Sequence, residues 1–228
     1  MNEIRLLGVA HGDVDVSENM ERTLAIEQPS VITVELHKSQ EEGILKSPTQ
    51  LALELRVRSV VDRLGESARQ LLDLVIGNHG QEFYSAIRYA KEHGLPYYLI
   101  DALIEDPFVK GTEELISLSD EELLLRVTAS LDEHRKLYRN LYRRMELLQE
   151  INDVFIETPT VDQTRCVLAN QRDTTPAAAL QDLRKQHTGK ILHICGAVHT
   201  LNDAQGETLF SILLKGDLNV TRGLVVHE

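Results

Sequence analysis

The sequence predicts an α/β protein with a central, mostly parallel sheet flanked by helices. Three observations carry that prediction. Short apolar runs alternate with amphipathic stretches, helix start and stop signals fall between the runs, and a titratable residue follows each run. The runs are Ile4–Leu7, Val31–Leu36, Tyr97–Ile100 and Ile191–Cys195. Between the first two, Asp15 and Glu18 have capping-box spacing, Val16, Met20 and Leu24 recur every fourth residue, and Pro29 stops the helix. These pieces make one βαβ unit. In the second, Phe83, Ala86, Ile87 and Ala90 share a helical face, Gly94 ends the helix, and a strand restarts over Pro96–Ile100.

The middle of the chain reads as a helical insertion, near residues 41–77 and 113–152, in a single domain spanning 1–228. Ser47-Pro48-Thr49-Gln50 places a cap, a first-turn proline and a capping-box glutamine at the start of a helix running to about Leu64, and another helix covers Ala68–Ile76. Ser119-Asp120-Glu121-Glu122 is a further capping box. Beyond it Leu124, Val127, Leu131, His134, Tyr138, Leu141, Met145 and Leu148 keep 3-4 spacing along one long helix. That stripe packs on the rest of the subunit, or forms a homodimer seam, or closes as a lid over a site.

Composition narrows the function classes. The chain has 228 residues, 42% hydrophobic and 26% charged, the profile of a globular domain rather than a disordered one. No run approaches the roughly 18 to 20 apolar residues of a membrane-spanning helix, and the opening MNEIRLLGVAHGD lacks an apolar signal core, so a cytoplasmic protein with no membrane role is expected. Cys166 and Cys195 make neither a disulfide framework nor a cysteine-rich zinc site, and both are expected to pack as small apolar groups. A formal charge of −12 opposes a phosphate backbone, which argues against nucleic acid as a partner.

Chemistry is expected where the strands end. Ile4–Leu7 leads to His11, Val31–Val34 to Glu35, Tyr97–Ile100 to Asp101, and Ile191–Cys195 to His199. In an open parallel sheet the carboxyl ends of the strands share one rim, where ligands bind, so residues from 11 to 199 converge there. Two imidazoles and two carboxylates suit a divalent ion such as Zn, Mn or Fe, with positions left for a water that becomes a nucleophile. The pattern is doubled: Gly8-Val9-Ala10-His11 and Gly196-Ala197-Val198-His199 each run strand, glycine turn, histidine, and glycine lets the backbone approach a ligand. His37 reads as a loop residue, His193 as a core imidazole inside its strand, and His134 as part of the helical stripe. No G-x-S-x-G elbow and no phosphate-binding glycine loop is present, which ranks acyl-serine, nucleotide and hydride chemistry lower.

The segment GVAHGDVDVSENMERTLAIEQPSVITVELHKSQ resembles the opening of the TraB/PrgY/TIKI superfamily: a strand, G-x-x-H, a helix, then a strand ending in Val-Glu-Leu. GQEFYSAIRYAKEHGLPYYLID is similar to that superfamily's G-x-E-[MF] helix and following strand, NQRD at 170–173 to its arginine signature, and ILHICGAVH to its second G-x-x-H strand. The resemblance implies a metal-dependent hydrolase, peptidase-like and linked in some relatives to peptide pheromone shutdown. More distant relatives resemble erythromycin esterases and a haem-binding lipoprotein. Carried over, His11 and His199 become metal ligands or acid–base histidines and Glu35 a ligand or general base, with Mn, Zn or Co as the ion. Glu35, Glu82 and Arg172 become catalytic groups, and Gly8, Gly196 and Asp101 line the substrate. This chain departs from the pattern in three places. Ala102 follows Asp101 where relatives commonly carry arginine, Thr174-Thr175-Pro176 breaks or restarts the signature helix and makes Arg165 the fallback for Arg172, and the C-terminal transmembrane helices of several relatives are absent.

The reading is therefore hydrolysis of a small peptide or ester: Glu35 or Glu82 accepts a proton from water, and Arg172 stabilises the oxyanion. Two alternatives stand beside it. One is a non-catalytic protein that binds a peptide, haem or metal on the same rim; the other is a metal-independent esterase using histidine and glutamate.

Overall fold

The computed structural model describes residues 3–11, 13, 15–38, 80–101, 119, 131–151, 163–216 and 218–225, with backbone alone at 131 and 163–172. The expected helices over 47–64 and 68–76, the capping box at 119–122 beyond Ser119, and the stripe positions Leu124 and Val127 lie outside the described residues.

Five strands form one parallel sheet: β1 (Glu3–Val9), β2 (Val31–Val34), β3 (Tyr97–Leu99), β4 (Lys190–Gly196) and β5 (Val220–Leu224), in the spatial order β3-β2-β4-β1-β5. The α/β prediction is therefore correct, and the reason lies in the apolar runs. A central parallel strand is covered on both faces, so consecutive residues are all apolar; β2 is buried at each of its four positions and β4 from Ile191 onward. The edge strands β3 and β5 are mostly half-buried. β5, whose sequence Val-Thr-Arg-Gly-Leu has no continuous apolar run, is an element that the reading of the chain did not anticipate.

One face of the sheet is covered by α1 (Val16–Glu27) and α2 (Gln81–Glu92). Met20 and Leu24 of α1 and Phe83, Ala86, Ile87 and Ala90 of α2 pack with Leu7, Val9, Ile32, Val34, Leu192 and Ile194. Both helices thus bury the faces their periodicity specified. Asp15 stands at the N-cap of α1 as expected, but its side chain makes no capping bond; the carboxylate accepts two hydrogen bonds from the Arg135 guanidinium instead, at 2.9 Å each. Gln28, left-handed at φ 48°, ends α1 before Pro29, and Gly94 at φ 65° follows α2.

The opposite face is covered by α4 (Gln163–Gln186) and α5 (Leu209–Lys215), through Ala177, Leu180, Leu183, Leu209, Phe210 and Leu213 against Ile4, Leu6, Val31, Ile191 and Cys195. Here the expected break at Thr174-Thr175-Pro176 does not occur, because α4 runs through Pro176. Proline there removes a single hydrogen bond to the carbonyl four residues back, a cost that the buried Ala177 and Leu180 after it offset.

Between the ends of these layers lies α3 (Leu131–Gln149). Its packed side follows a 3.6-residue period rather than the sevenfold stripe: Leu141 is 39% exposed, and Tyr142, at 2%, takes the inward position beside Met145. Met145 and Leu148 pack on Ala197 and Leu201, beyond the end of β4.

His193, on β4, is fully buried, as its alternation in the strand requires. Its Nδ1 is 2.9 Å from the Thr33 hydroxyl, while Nε2 meets no hydrogen-bond partner among the described residues. Burial first, with no acceptor for a second proton, lowers its pKa from 6.5 to about 4. A depressed pKa means stability that is present in full above 6.5 and lost as the pH falls toward 4, an effect of about 3 kcal/mol. Urea unfolding at pH 7.5 and 4.5 should accordingly show a larger stability loss in the wild type than in His193→Asn. Equal losses would mean that His193 is not held neutral.

Candidate functional site

The carboxyl ends of β1, β2 and β4 place three of the expected residues on one rim. His11 lies two residues past β1, Glu35 directly follows β2, and His199 is in a 3-10 turn (Ala197–Thr200) that follows β4. Because β4 lies between β1 and β2, with Val9 beside Gly196 and Val34 beside Ile194, the turn carrying His199 emerges between His11 and Glu35. The two G-x-x-H motifs are neighbours in space as well as copies in sequence.

Each imidazole is held by a buried carboxylate. His11 Nδ1 is 2.8 Å from Glu82 Oε1, and Glu82, on the first turn of α2, is 1% exposed. His199 Nδ1 is 2.6 Å from Asp173 Oδ1, and its Nε2 is 3.2 Å from Glu35 Oε1. Glu35 in turn accepts the Gly196 N–H through Oε2 at 2.6 Å, and Asp173 Oδ2 accepts the Leu209 N–H at 2.8 Å. The cluster is thus two imidazole–carboxylate units, Glu82–His11 and Asp173–His199–Glu35, facing each other across Gly196. His11 keeps 39% of its side chain exposed and forms the solvent side; His199 keeps 12%.

Gly196 shows what the space between them is for. Its backbone, φ −56° and ψ 141°, is one that any residue adopts, so no conformational need calls for glycine. A Cβ there would lie 3.0 Å from His11 Nε2, 3.3 Å from His199 Cδ2 and 3.7 Å from Glu35 Oε2. The small space that a side chain would fill is bounded by both imidazoles and a carboxylate, so glycine lets the three groups close in on the end of β4. Gly8 has a different place: a Cβ would meet Leu224 Cδ2 at 2.8 Å and Ala197 Cα at 2.9 Å, so its absence lets the turn after β4 pack against β1.

The electrostatics follow from this arrangement. Burial by itself lowers an imidazole pKa, yet Glu35 and Asp173 outweigh burial at His199 and raise it to about 10. At His11 burial is likewise overcome, by the hydrogen bond and charge of Glu82 with a smaller effect of Glu35, and the pKa is raised.

Of the remaining expected residues, Asp101 is half-buried after β3, one strand further out than Glu35, its N–H bonded to the Leu36 carbonyl at 3.0 Å. Arg172 and Arg165 lie on α4, and their side chains are outside the described residues. The cluster member that sequence reasoning missed is Asp173, next to Arg172 in the same NQRD segment. Its signal was available: Asp173, Ala177 and Leu180, at i, i+4 and i+7, form the buried face of α4. Two tyrosines of α3 were also missed as supports. Tyr142 Oη accepts the Ala10 N–H at 3.0 Å, and Tyr138 donates to the His11 carbonyl at 3.2 Å.

Whether the cluster fits a metal depends on ring orientation and on donor spacing. A ligating histidine commonly gives its other ring nitrogen to a carboxylate, as both Nδ1 atoms do here. Among the described residues, however, no three His, Cys, Asp or Glu side chains are arranged to hold a metal ion. The donors are spaced for hydrogen bonds to one another.

Comparison with known proteins adds a relative without a function. No family model matches the sequence, and no solved structure matches it. An uncharacterized protein of Methanocaldococcus jannaschii is 24% identical over 217 residues, covering 86% of this chain and 51% of that protein. The chain spans about half the length of the curated relative it matches.

Two measurements test the site itself. Nuclear magnetic resonance titration of the imidazoles should find His199 still protonated at pH 8, and Asp173→Asn should bring its midpoint down; a wild-type midpoint near 6.5 would contradict the pairing. Gly196→Ala should fold normally, since its backbone angles suit alanine, but shift the His11 and His199 ring resonances. Unchanged rings would show that the space is not shared by them.

Proposed function

We propose that the protein is a hydrolase of small peptides or esters, working at the rim by histidine and carboxylate acid–base chemistry. The observation that carries this reading is the convergence on Gly196 of two imidazoles that are each oriented by a buried carboxylate. His11, on the solvent side, is suited to the base. With Nδ1–H held by Glu82, its Nε2 takes a proton from water as the water oxygen bonds to the substrate carbonyl carbon. His199, held as an imidazolium between Asp173 and Glu35, stabilises the oxyanion by its charge, and the protonated His11 passes its proton to the amine or alkoxide as the scissile bond breaks. In this division Glu35 and Glu82 are positioning residues, because each is nearly fully buried and already engaged. Arg172 is proposed to stabilise the oxyanion as well. The proposal agrees with the hydrolase chemistry implied by the resemblance to the TraB/PrgY/TIKI superfamily.

A second reading, with Mn, Zn or Co held by His11, Glu35 and His199, is favoured by one observation: both Nδ1 atoms are backed by carboxylates, the orientation of metal-ligating histidines. The ion would supply Lewis acidity and an activated water.

Untagged protein, His11→Ala and His199→Ala should be compared for metal content and for turnover of peptide and ester libraries. The expected outcome is hydrolysis by the wild type, loss of at least about a hundredfold in both variants, and activity that survives chelation. Stoichiometric metal lost in both variants, with activity abolished by chelator and restored by Mn, Zn or Co, would establish the second reading. Ligand bound and returned uncut would make the protein a binder.

A further inference from the structure

The rim does not end at the histidines. Near the start of α1, where it meets α3, lies a cavity of about 260 Å³ lined by Asp13, Asp15, Glu18, Arg22, Arg135 and Arg139 among others. We propose that this cavity is a carboxylate subsite in which Arg139 grips the free C-terminal carboxylate of a peptide and so aligns the bond to be cut with His11. The inference rests on the hydrolase reading and gives it a substrate class.

The charges of the cavity select the ligand. Three carboxylates face three guanidiniums, and two of the guanidiniums are engaged: Arg135 holds Asp15 with two hydrogen bonds, and Arg22 pairs with Glu18 at 3.3 Å. Arg139 differs. Its Nε donates to the Arg135 carbonyl at 3.4 Å, and its outer N–H groups have no acceptor among the described residues. A guanidinium with a free pair of parallel N–H groups matches a planar carboxylate. The lining also disfavours more highly charged anions, since a phosphate of nearly two negative charges would meet Asp13, Asp15 and Glu18, whereas a carboxylate brings a single charge to Arg139.

The subsite and the histidines are mechanically joined. Tyr138, the residue before Arg139, donates its hydroxyl to the His11 carbonyl, and the Asp13 N–H bonds to the Ala10 carbonyl at 3.3 Å. A peptide anchored at Arg139 is thereby held next to the residue that binds the His11 carbonyl, which converts binding at the terminus into alignment at the scissile bond.

Calorimetric binding of N-acetyl-alanyl-alanine and of its C-terminal amide tests this with wild type, Arg139→Gln and Arg139→Lys, using the full chain. The wild type should bind the acid at least about tenfold more tightly than the amide, the glutamine variant should bring that ratio close to one, and lysine should retain part of it. Equal binding of acid and amide by the wild type, discrimination that survives in Arg139→Gln, or no binding of either peptide would overturn the subsite. Arg139→Lys keeps the charge and serves should the glutamine variant fail to fold. Binding needs no turnover: discrimination without cleavage rejects the hydrolase reading and leaves the subsite, while cleavage without discrimination does the reverse.

Discussion

The position of β4 between β1 and β2 is the constraint on which the rest depends. β1 and β2 are consecutive strands, yet their hydrogen bonds go to β4 from the far end of the chain, in register from Glu3 beside Lys190 to Val9 beside Gly196 and from Val31 beside Ile191 to Val34 beside Ile194. Parallel strands in register end together. Three strands that end together deliver His11, His199 and Glu35 side by side, at the rim where open α/β sheets collect their ligands. A shift of β4 by one residue would turn Ile191, Leu192 and Ile194 to opposite faces of the sheet, so the two apolar layers that fix the register also fix the site.

Gathering three carboxylates at one buried rim is costly in isolation, because like charges repel strongly where water is excluded. The cluster offsets that cost by pairing. Glu82 meets His11, Asp173 and Glu35 share His199, and the remaining carboxylate oxygens of Glu35 and Asp173 accept the backbone N–H groups of Gly196 and Leu209. Each backbone donor belongs to an element already fixed by packing, Gly196 to β4 and Leu209 to α5, so the carboxylates are oriented before any ligand arrives. The same pairing explains why the two imidazoles differ from His193. That ring sits in the same strand as the G-x-x-H turn but faces Thr33 in an apolar layer, and burial there prevails.

Helix α3 supports the site from outside the sheet. It holds the His11 loop by Tyr138 and Tyr142, the start of α1 by Arg135, and the His199 turn by Met145 and by Gln149, whose side chain donates to the Thr200 hydroxyl at 2.6 Å. Arg222 of β5 completes the joint, donating to the Thr200 carbonyl at 3.0 Å and to the Gln149 carbonyl while its guanidinium lies over the Phe210 ring. Both histidine loops are therefore braced by one element, which couples their spacing to the packing of α3.

Local patterning in the sequence determined a great deal. The fully apolar runs specified central parallel strands, and the fourfold spacing of Val16, Met20 and Leu24 and the face of Phe83, Ala86 and Ala90 specified which sides of α1 and α2 are buried. The strand-end histidines and Glu35 were legible because a titratable residue just past such a run has one rim to occupy. What the sequence left open was decided by contacts between distant segments. Asp15 could cap its own helix or pair with Arg135, and the guanidinium 120 residues away took it. Pro176 could break α4, but burial of Ala177 and Leu180 beyond it held the helix together. Leu141 fits a sevenfold stripe and Tyr142 does not, yet a hydroxyl was needed at the Ala10 N–H, and the helix turned by one residue to supply it. Asp173 reaches His199 for the same reason: the side of α4 that carries Ala177 and Leu180 faces the sheet, and packing against it determines which polar residue on that side reaches the rim.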